Sequence, residues 1–264
     1  VGDGSRLAAK ASYRNAAGLH WSRLAAPAVR GYFNKMSPTP AIPKSASADQ
    51  ARDLLEAAGW RQVGLGDWSW VLADPTGAQA ARVTPFDPAY HLHAQACLDG
   101  PPNRWLPRID AILPLRRDGY VVVMERLWPA NEAQAAAFCS ALGIVNDSGY
   151  APPPDLPFAE ADDDLAALRG RLTDLILEGA RRFKLWGGSD IRPGNVMADG
   201  QGRLKLVDPV FVRGLGIVEA VRDGRLDLLS DFSREQLEDF MTIPPFSPGE
   251  ETQGLRRRLA ELYA

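Results

Sequence analysis

Between Trp186 and Val212 the chain reads WGGSDIRPGNVMADGQGRLKLVDPVFV, and the spacing of oxygen-bearing side chains there limits what the surrounding fold can be. Asp190 is followed five residues later by Asn195; the turn Asp199-Gly200-Gln201-Gly202 comes next, and the apolar run Leu204 to Val207 then delivers Asp208. Turn residues followed by a short apolar run predict a β-hairpin. Asn195 and Asp208 then stand at its two ends, with Asp190 beside them, facing one mouth. That set suits a hard divalent cation, because magnesium takes carboxylate and amide oxygens and leaves positions for phosphate. A further carboxylate nearby can accept a proton from an attacking hydroxyl. The competing reading is an unrelated α+β domain in which Asp190 and Asn195 only stabilise turns.

The chain has 264 residues, enough for a sizeable core in one large domain or two lobes. A net charge of −3 points to no nucleic acid as main partner. Cys97 and Cys139 are far apart, without a nearby His pair, and read as buried free thiols rather than a metal or redox site. The longest apolar run, YVVVM, is too short to span a membrane, and the opening residues lack the order of a secretory signal; a cytoplasmic protein is expected.

Residues 1–36 mix apolar and basic positions at partly helical spacing and read as an N-terminal helical extension that docks on the main fold or on a protein partner. Ser37 to Ser47, with three prolines, reads as an extended linker. Ser47 or Asp49 caps a helix to Ala58, with Leu54, Leu55 and Ala58 inward and Gly59 ending it. Strands follow from Trp60 to Pro85, turning at Asp74–Gly77. Asp87-Pro88 opens a helix over Ala89–Leu98. A strand covers Leu106 to Leu115 and another Gly119 to Leu127, and helices cover Ala130–Leu142 and the stripe Leu165, Leu168, Leu172, Leu175, Ile176, Phe183. Asp162 or Asp163 caps the latter helix from within the acidic cluster 160–164. After Asp208 come a helix from Gly216 to Arg222 and two more near Arg234–Met241 and Thr252–Tyr263.

This order, with Asp190, Asn195 and Asp208 at these spacings, resembles the protein-kinase-like superfamily. DIRPGNVM followed by LVDPV is most similar to the early Ser/Thr kinases of short-tailed phages and to small-molecule kinases of the aminoglycoside-phosphotransferase type. The likeness extends loosely from Gly64 to Phe211. Two departures stand in the motif itself: Gly188 and Ser189 replace the usual His-Arg, and Asp208-Pro209-Val210 replaces Asp-Phe-Gly. The resemblance implies an α+β, reduced two-lobed kinase-like fold: extension and linker over 1–46, N-lobe over 47–128, C-lobe over 129–264. It implies ATP and Mg2+, with Asp190 as base, Arg192 steadying the transferring phosphoryl group, and Asn195 and Asp208 on the metal. Gly64 and Gly66 would cover the phosphates. Met124, Glu125 and Leu127 would form the hinge, with backbone groups of Glu125 to Leu127 meeting the base.

The third strand lacks the family's lysine. Arg82 stands at its position and keeps the charge with a different shape; an exposed strand residue is the equal alternative. The next helix brings His91, His93 and Gln95 but no acid, so Asp87 is the nearest carboxylate. Only 56 residues follow Asp208, without an Ala-Pro-Glu counterpart, so the C-lobe is reduced. Three functions compete: a small Ser/Thr protein kinase acting on a protein substrate, a small-molecule kinase, and a pseudokinase that binds a regulatory partner without catalysis.

Overall fold

A computed structural model describes residues 39–151, 158, 162–246 and 249–264. The helical reading of residues 1–36 lies outside the described residues. All described residues belong to the second of two compact units, over residues 33–264.

Residues 39–47 are not a free linker. Ile42 and Ala46 pack into the same cluster as the first helix, and the Arg116 N–H bonds the Ala46 carbonyl at 3.1 Å. Two apolar side chains gain more by covering the sheet than an extended tether gains from solvent. Helix α1, Ala48–Ala57, starts at Ser47, whose hydroxyl takes the Gln50 N–H while the Gln50 side chain takes the Ser47 N–H. Its buried face is Ala48, Ala51 and Leu55. Leu54 and Ala58, expected inward, lie outward, because the line through Ala48, Ala51 and Leu55 meets the sheet and Leu54 is one position off it. Gly59 ends the helix at φ 87°.

Five antiparallel strands follow: β1 (Arg61–Leu65), β2 (Trp70–Ala73), β3 (Gln79–Thr84), β4 (Ile109–Pro114) and β5 (Tyr120–Glu125), in the order β1-β2-β3-β5-β4. The fourth strand begins at Ile109, later than the sequence suggested. Helix α2, Pro88–Asp99, lies between β3 and β4 in sequence and is capped by Asp87, which accepts the Tyr90 N–H at 3.0 Å. The two faces of β3 and β5 serve different cores. Leu72, Ala81, Val83, Val121 and Val123 pack under α1. Ala80, Tyr120, Val122 and Met124 pack against Tyr90 and Ala94 of α2. Alternation therefore puts Arg82 on the α2 face, next to Ala80.

The rest is mainly helical. Strand β6 (Trp128–Pro129) leads to α3 (Glu132–Leu142) and the long α4 (Asp163–Arg182), capped by Asp162. Its buried stripe, Leu165, Leu168, Leu172 and Leu175, continues to Gly179. A Cβ on Gly179 would come within 2.2 Å of the Trp186 ring. The glycine thus admits the tryptophan that begins β7 (Trp186–Ser189), the strand leading into Asp190. Strands β8 (Val196–Ala198) and β9 (Leu204–Leu206) form the predicted hairpin, extended by β6, and β10 (Val210–Val212) pairs with β7. Helices α5 (Gly214–Asp223), α6 (Leu226–Leu229), α7 (Arg234–Phe240) and α8 (Glu250–Leu262) close the chain. α5 starts two residues before the expected Gly216, and α6 was not expected; its four residues are too few to show a period. The mixed α+β class is as the sequence implied. No helix among the described residues is long and apolar enough to cross a membrane.

Candidate active site

Asp190 follows β7 and its N–H bonds the Pro209 carbonyl at 2.7 Å, which ties it to the Asp208 segment. A 3-10 turn, Pro193–Asn195, then buries Asn195. The Asn195 Nδ2 lies 2.8 Å from Asp190 Oδ2, 2.7 Å from the Asp190 carbonyl and 2.7 Å from the Asp208 carbonyl. Two hydrogens meet three acceptors, so one is shared. One amide therefore knits together the ends of the hairpin. Arg192 Nε sits 3.1 Å from Asp190 Oδ1 and 3.2 Å from Oδ2, but its hydrogen aims at Oδ2. Asp190 Oδ1 is left buried without a hydrogen bond.

Arg82 reaches the same place from β3. Its Nη1 is 3.1 Å from Asp208 Oδ2, its Nη2 is 2.9 Å from Asp87 Oδ2, and its guanidinium lies 3.5 Å over the Tyr90 ring. Its side chain is only 12% exposed, so the surface-strand reading of Arg82 fails. Asp87, at the helix cap, supplies the acid that the body of α2 lacks. Two carboxylates share one guanidinium out of water. Burial first, against the pull of Arg82, pushes the Asp87 carboxyl up to about 7. Burial raises Asp208 as well, again opposed by Arg82. A third of the Asp208 side chain remains open, so its shift is the more screened of the two and the weaker guide. Burial pulls Arg82 down, but Asp208 and Asp87 outweigh it and hold it above its ordinary value.

Burial, with help from Arg82 and Arg171, drops His93 to about 3, so it is a neutral packing residue beside Cys97. Met124 and Leu127 are buried in one cluster with Tyr90, whose hydroxyl donates to Met124 Sδ at 3.6 Å. Not all of the hinge backbone is free, however. The Glu125 N–H bonds the Arg108 carbonyl and the Arg126 N–H bonds the Ala78 carbonyl, each at 3.0 Å. Among the described residues Leu127 alone of these three keeps its N–H unbonded. The Glu125 carboxylate faces the other way: it takes the Arg108 N–H at 2.8 Å and lies 3.6 Å from Lys205 Nζ. Lys205 is a residue that sequence reasoning missed. It is buried on β9 and also donates to the Leu106 carbonyl at 3.2 Å. A lysine between two buried leucines in the hairpin was the available signal.

Gly64 stands in the same cross-strand row as Arg82, with Val71 between them. Gly64 sits at a bulge paired to Val71, and the Gly66 N–H is used by the Ser69 carbonyl at 2.9 Å. Trp68, in the same turn, reaches instead to Phe86 and Phe240, at 5.8 and 5.2 Å between ring centres, and to Gly214.

No group of three or more His, Cys, Asp or Glu among the described residues forms a metal cage. The donor set nevertheless fits magnesium, which uses one or two carboxylates and takes its other ligands from phosphate and water. Arg82 Nη1 bonds Asp208 through Oδ2 alone, and Asp208 Oδ1 accepts no hydrogen bond here.

No protein-family model matches the chain, and no curated protein does. Solved structures that match include an aminoglycoside phosphotransferase APH(3'')-Id from Streptomyces rimosus, 14% identical, covering 78% of this chain and 93% of its own, with a TM-score of 0.27. The aminoglycoside phosphotransferase APH(4)-Ia is 15% identical, covering 79% and 87%, with a TM-score of 0.30. Cex1p, 12% identical, covers 77% of this chain and 38% of its own, also at a TM-score of 0.30.

Proposed function

We propose that the chain transfers the terminal phosphoryl group of ATP to a hydroxyl, with Asp190 as the base. The observation that carries this is the half-buried Asp190, whose Oδ2 is fixed by Asn195 while Oδ1, though 3.1 Å from Arg192 Nε, accepts no hydrogen bond. A hydroxyl brought against Oδ1 would supply the hydrogen bond it lacks. As the hydroxyl oxygen attacks the γ-phosphorus, the new P–O ester bond forms and the β–γ bridging bond breaks. ADP leaves with that electron pair, and the hydroxyl proton goes to Asp190. Asn195 and Asp208 would hold Mg2+, which supplies positive charge to the phosphate oxygens. Arg192 and Arg82 add positive charge on either side of the acids. To do so, Arg82 must loosen its bond to Asp208.

On the sequence resemblance, the acceptor is a Ser or Thr of a protein, and residues 1–36 are where such a partner would be engaged. A second reading, a small hydroxylated acceptor, rests on the sequence resemblance to aminoglycoside-phosphotransferase-type kinases; the cavity of about 730 Å³ beside β10 and α5 is lined by Asp147, Phe211, Arg213 and Glu219 but by none of Asp190, Arg192, Asn195 and Asp208. A third, a pseudokinase that binds a regulatory partner without catalysis, is favoured by the grip of Arg82 on Asp208. Radiolabelled ATP with Mg2+ is offered together with a Ser/Thr peptide library and with a panel of aminoglycosides. Labelling of either that disappears in Asp190→Ala and Asp208→Ala supports phosphotransfer and names the acceptor class. The absence of both labelling and a nucleotide-dependent rise in melting temperature supports the third reading and refutes the other two.

A further inference from the structure

Both flanks of Asp190 are held by one loop that the kinase-like motif does not contain. The segment Val145–Ser148, after α3, runs against the end of β7. Asp147 Oδ2 accepts the Ser189 N–H at 2.9 Å, and the Asp147 N–H returns to the Ser189 carbonyl at 3.1 Å. The Ser189 hydroxyl donates to the Val145 carbonyl at 2.5 Å and lies 3.1 Å from Asp147 Oδ2. On the other side of Asp190, Asn146 Oδ1 accepts the Ile191 N–H at 3.0 Å. Asn146 is itself fixed, since its Nδ2 donates to the Tyr150 carbonyl at 3.0 Å and its Oδ1 takes the Ser148 hydroxyl at 3.1 Å.

The departures from the family motif make room for this contact. Gly188 has φ 93°, and a Cβ there would stand 2.2 Å from Asp147 Oδ2. A histidine at 188 would exclude Asp147, and an arginine at 189 could not bury as Ser189 does at 0% exposure. Ile191 is also buried, at 1%, so the peptide units on each side of Asp190 have no water to fall back on.

We infer that Asn146 and Asp147 are positioning residues for Asp190, setting its backbone from both sides; this rests on the reading of Asp190 as the base. Neither touches the Asp190 carboxylate. They act through Ser189 and Ile191. Asp147 and Ser148 also line the cavity beside β10 and α5. A displacement of about 1 Å at a reacting group costs on the order of a hundredfold in rate.

The test uses the full chain with Asp147→Ala, Asn146→Ala and Asp147→Asn. Amide hydrogen exchange is followed at residues 189–191, and ATP hydrolysis to water and labelling of the Ser/Thr peptide library are measured beside it. Both alanine variants should exchange about tenfold faster at 189–191. Their kcat should fall by about ten- to a hundredfold while the KM for ATP stays within about twofold. Asp147→Asn keeps an oxygen for the Ser189 N–H and should restore kcat, a rescue that loss of mere bulk would not need. Should Asp147→Ala not fold, Asn146→Ala, which removes a single bond to the catalytic loop, decides by the same readouts. Unchanged exchange at 189–191 in the alanine variants overturns the inference, as does unchanged kcat where the wild type turns over. A wild type that turns over no ATP defeats the phosphotransfer reading instead, and the exchange data still decide whether the loop holds Ser189 and Ile191.

Discussion

Arg82→Met removes the one positive charge that two buried acids share while keeping an unbranched apolar stem over Tyr90. In the wild type, Arg82 bonds Asp87 at 2.9 Å and Asp208 at 3.1 Å, with Arg82 and Asp87 side chains 12% and 9% exposed. Removing one partner of a buried pair costs about 3–5 kcal/mol, because the other charge is left uncompensated. Loss of the contact with the Tyr90 face adds about 1 kcal/mol. In a domain of this size each kcal/mol moves the melting temperature by about 2–4 °C, so a drop of about 10 °C or more is expected at pH 8. The cost should shrink on acidification. Asp87 already has its carboxyl near 7 with Arg82 present, and without it the carboxyl is neutral at pH 5, leaving Asp208, a third of it open to water, as the one carboxylate to strand. Thermal unfolding followed by tryptophan fluorescence at pH 5 and pH 8 measures both losses. Equal destabilisation at the two pH values, or a loss below about 1 kcal/mol at pH 8, would refute the shared-guanidinium account.

Asp87→Asn keeps a good helix cap but removes a titrating group. The folded-state value of about 7 lies above the ordinary 3.8, so the folded protein binds this proton more tightly than the unfolded chain. The stability it confers is present at low pH and is lost as pH rises through about 7, a slope worth at most about 4 kcal/mol; urea titrations from pH 4 to 8 should show this slope in the wild type and a flatter profile in the variant. Gly179→Ala should destabilise by about 1–2 kcal/mol, since crowding of the Trp186 ring outweighs the roughly 1 kcal/mol of better helix propensity. An unchanged urea midpoint would show that the Trp186 ring has room to move.

Much of the fold was legible wherever the signal is local. The box of Ser47 with Gln50, the Asp87-Pro88 start and the leucine stripe of α4 each act within a few residues, and each element formed close to where it was expected. Errors arose where a decision depended on a distant partner. Leu54 turned outward because of where the sheet lies, and Ile42 and Ala46 were drawn into a core that the prolines around them did not advertise. The spacing of Asp190, Asn195 and Asp208 was likewise enough to suggest a shared site, because a hairpin fixes the distance between its own ends.

The sequence by itself therefore determined the hairpin, the helix caps and the periodic faces, all products of short-range sterics and hydrogen bonding. Only the tertiary structure decided that Arg82 crosses to Asp208, 126 residues away, that Asp87 joins it, and that the hinge donors at Glu125 and Arg126 are already used. It also decided that Asn146 and Asp147 grip the two neighbours of Asp190. Contacts of that range leave no period in the chain, since they depend on packing that brings distant side chains out of water together.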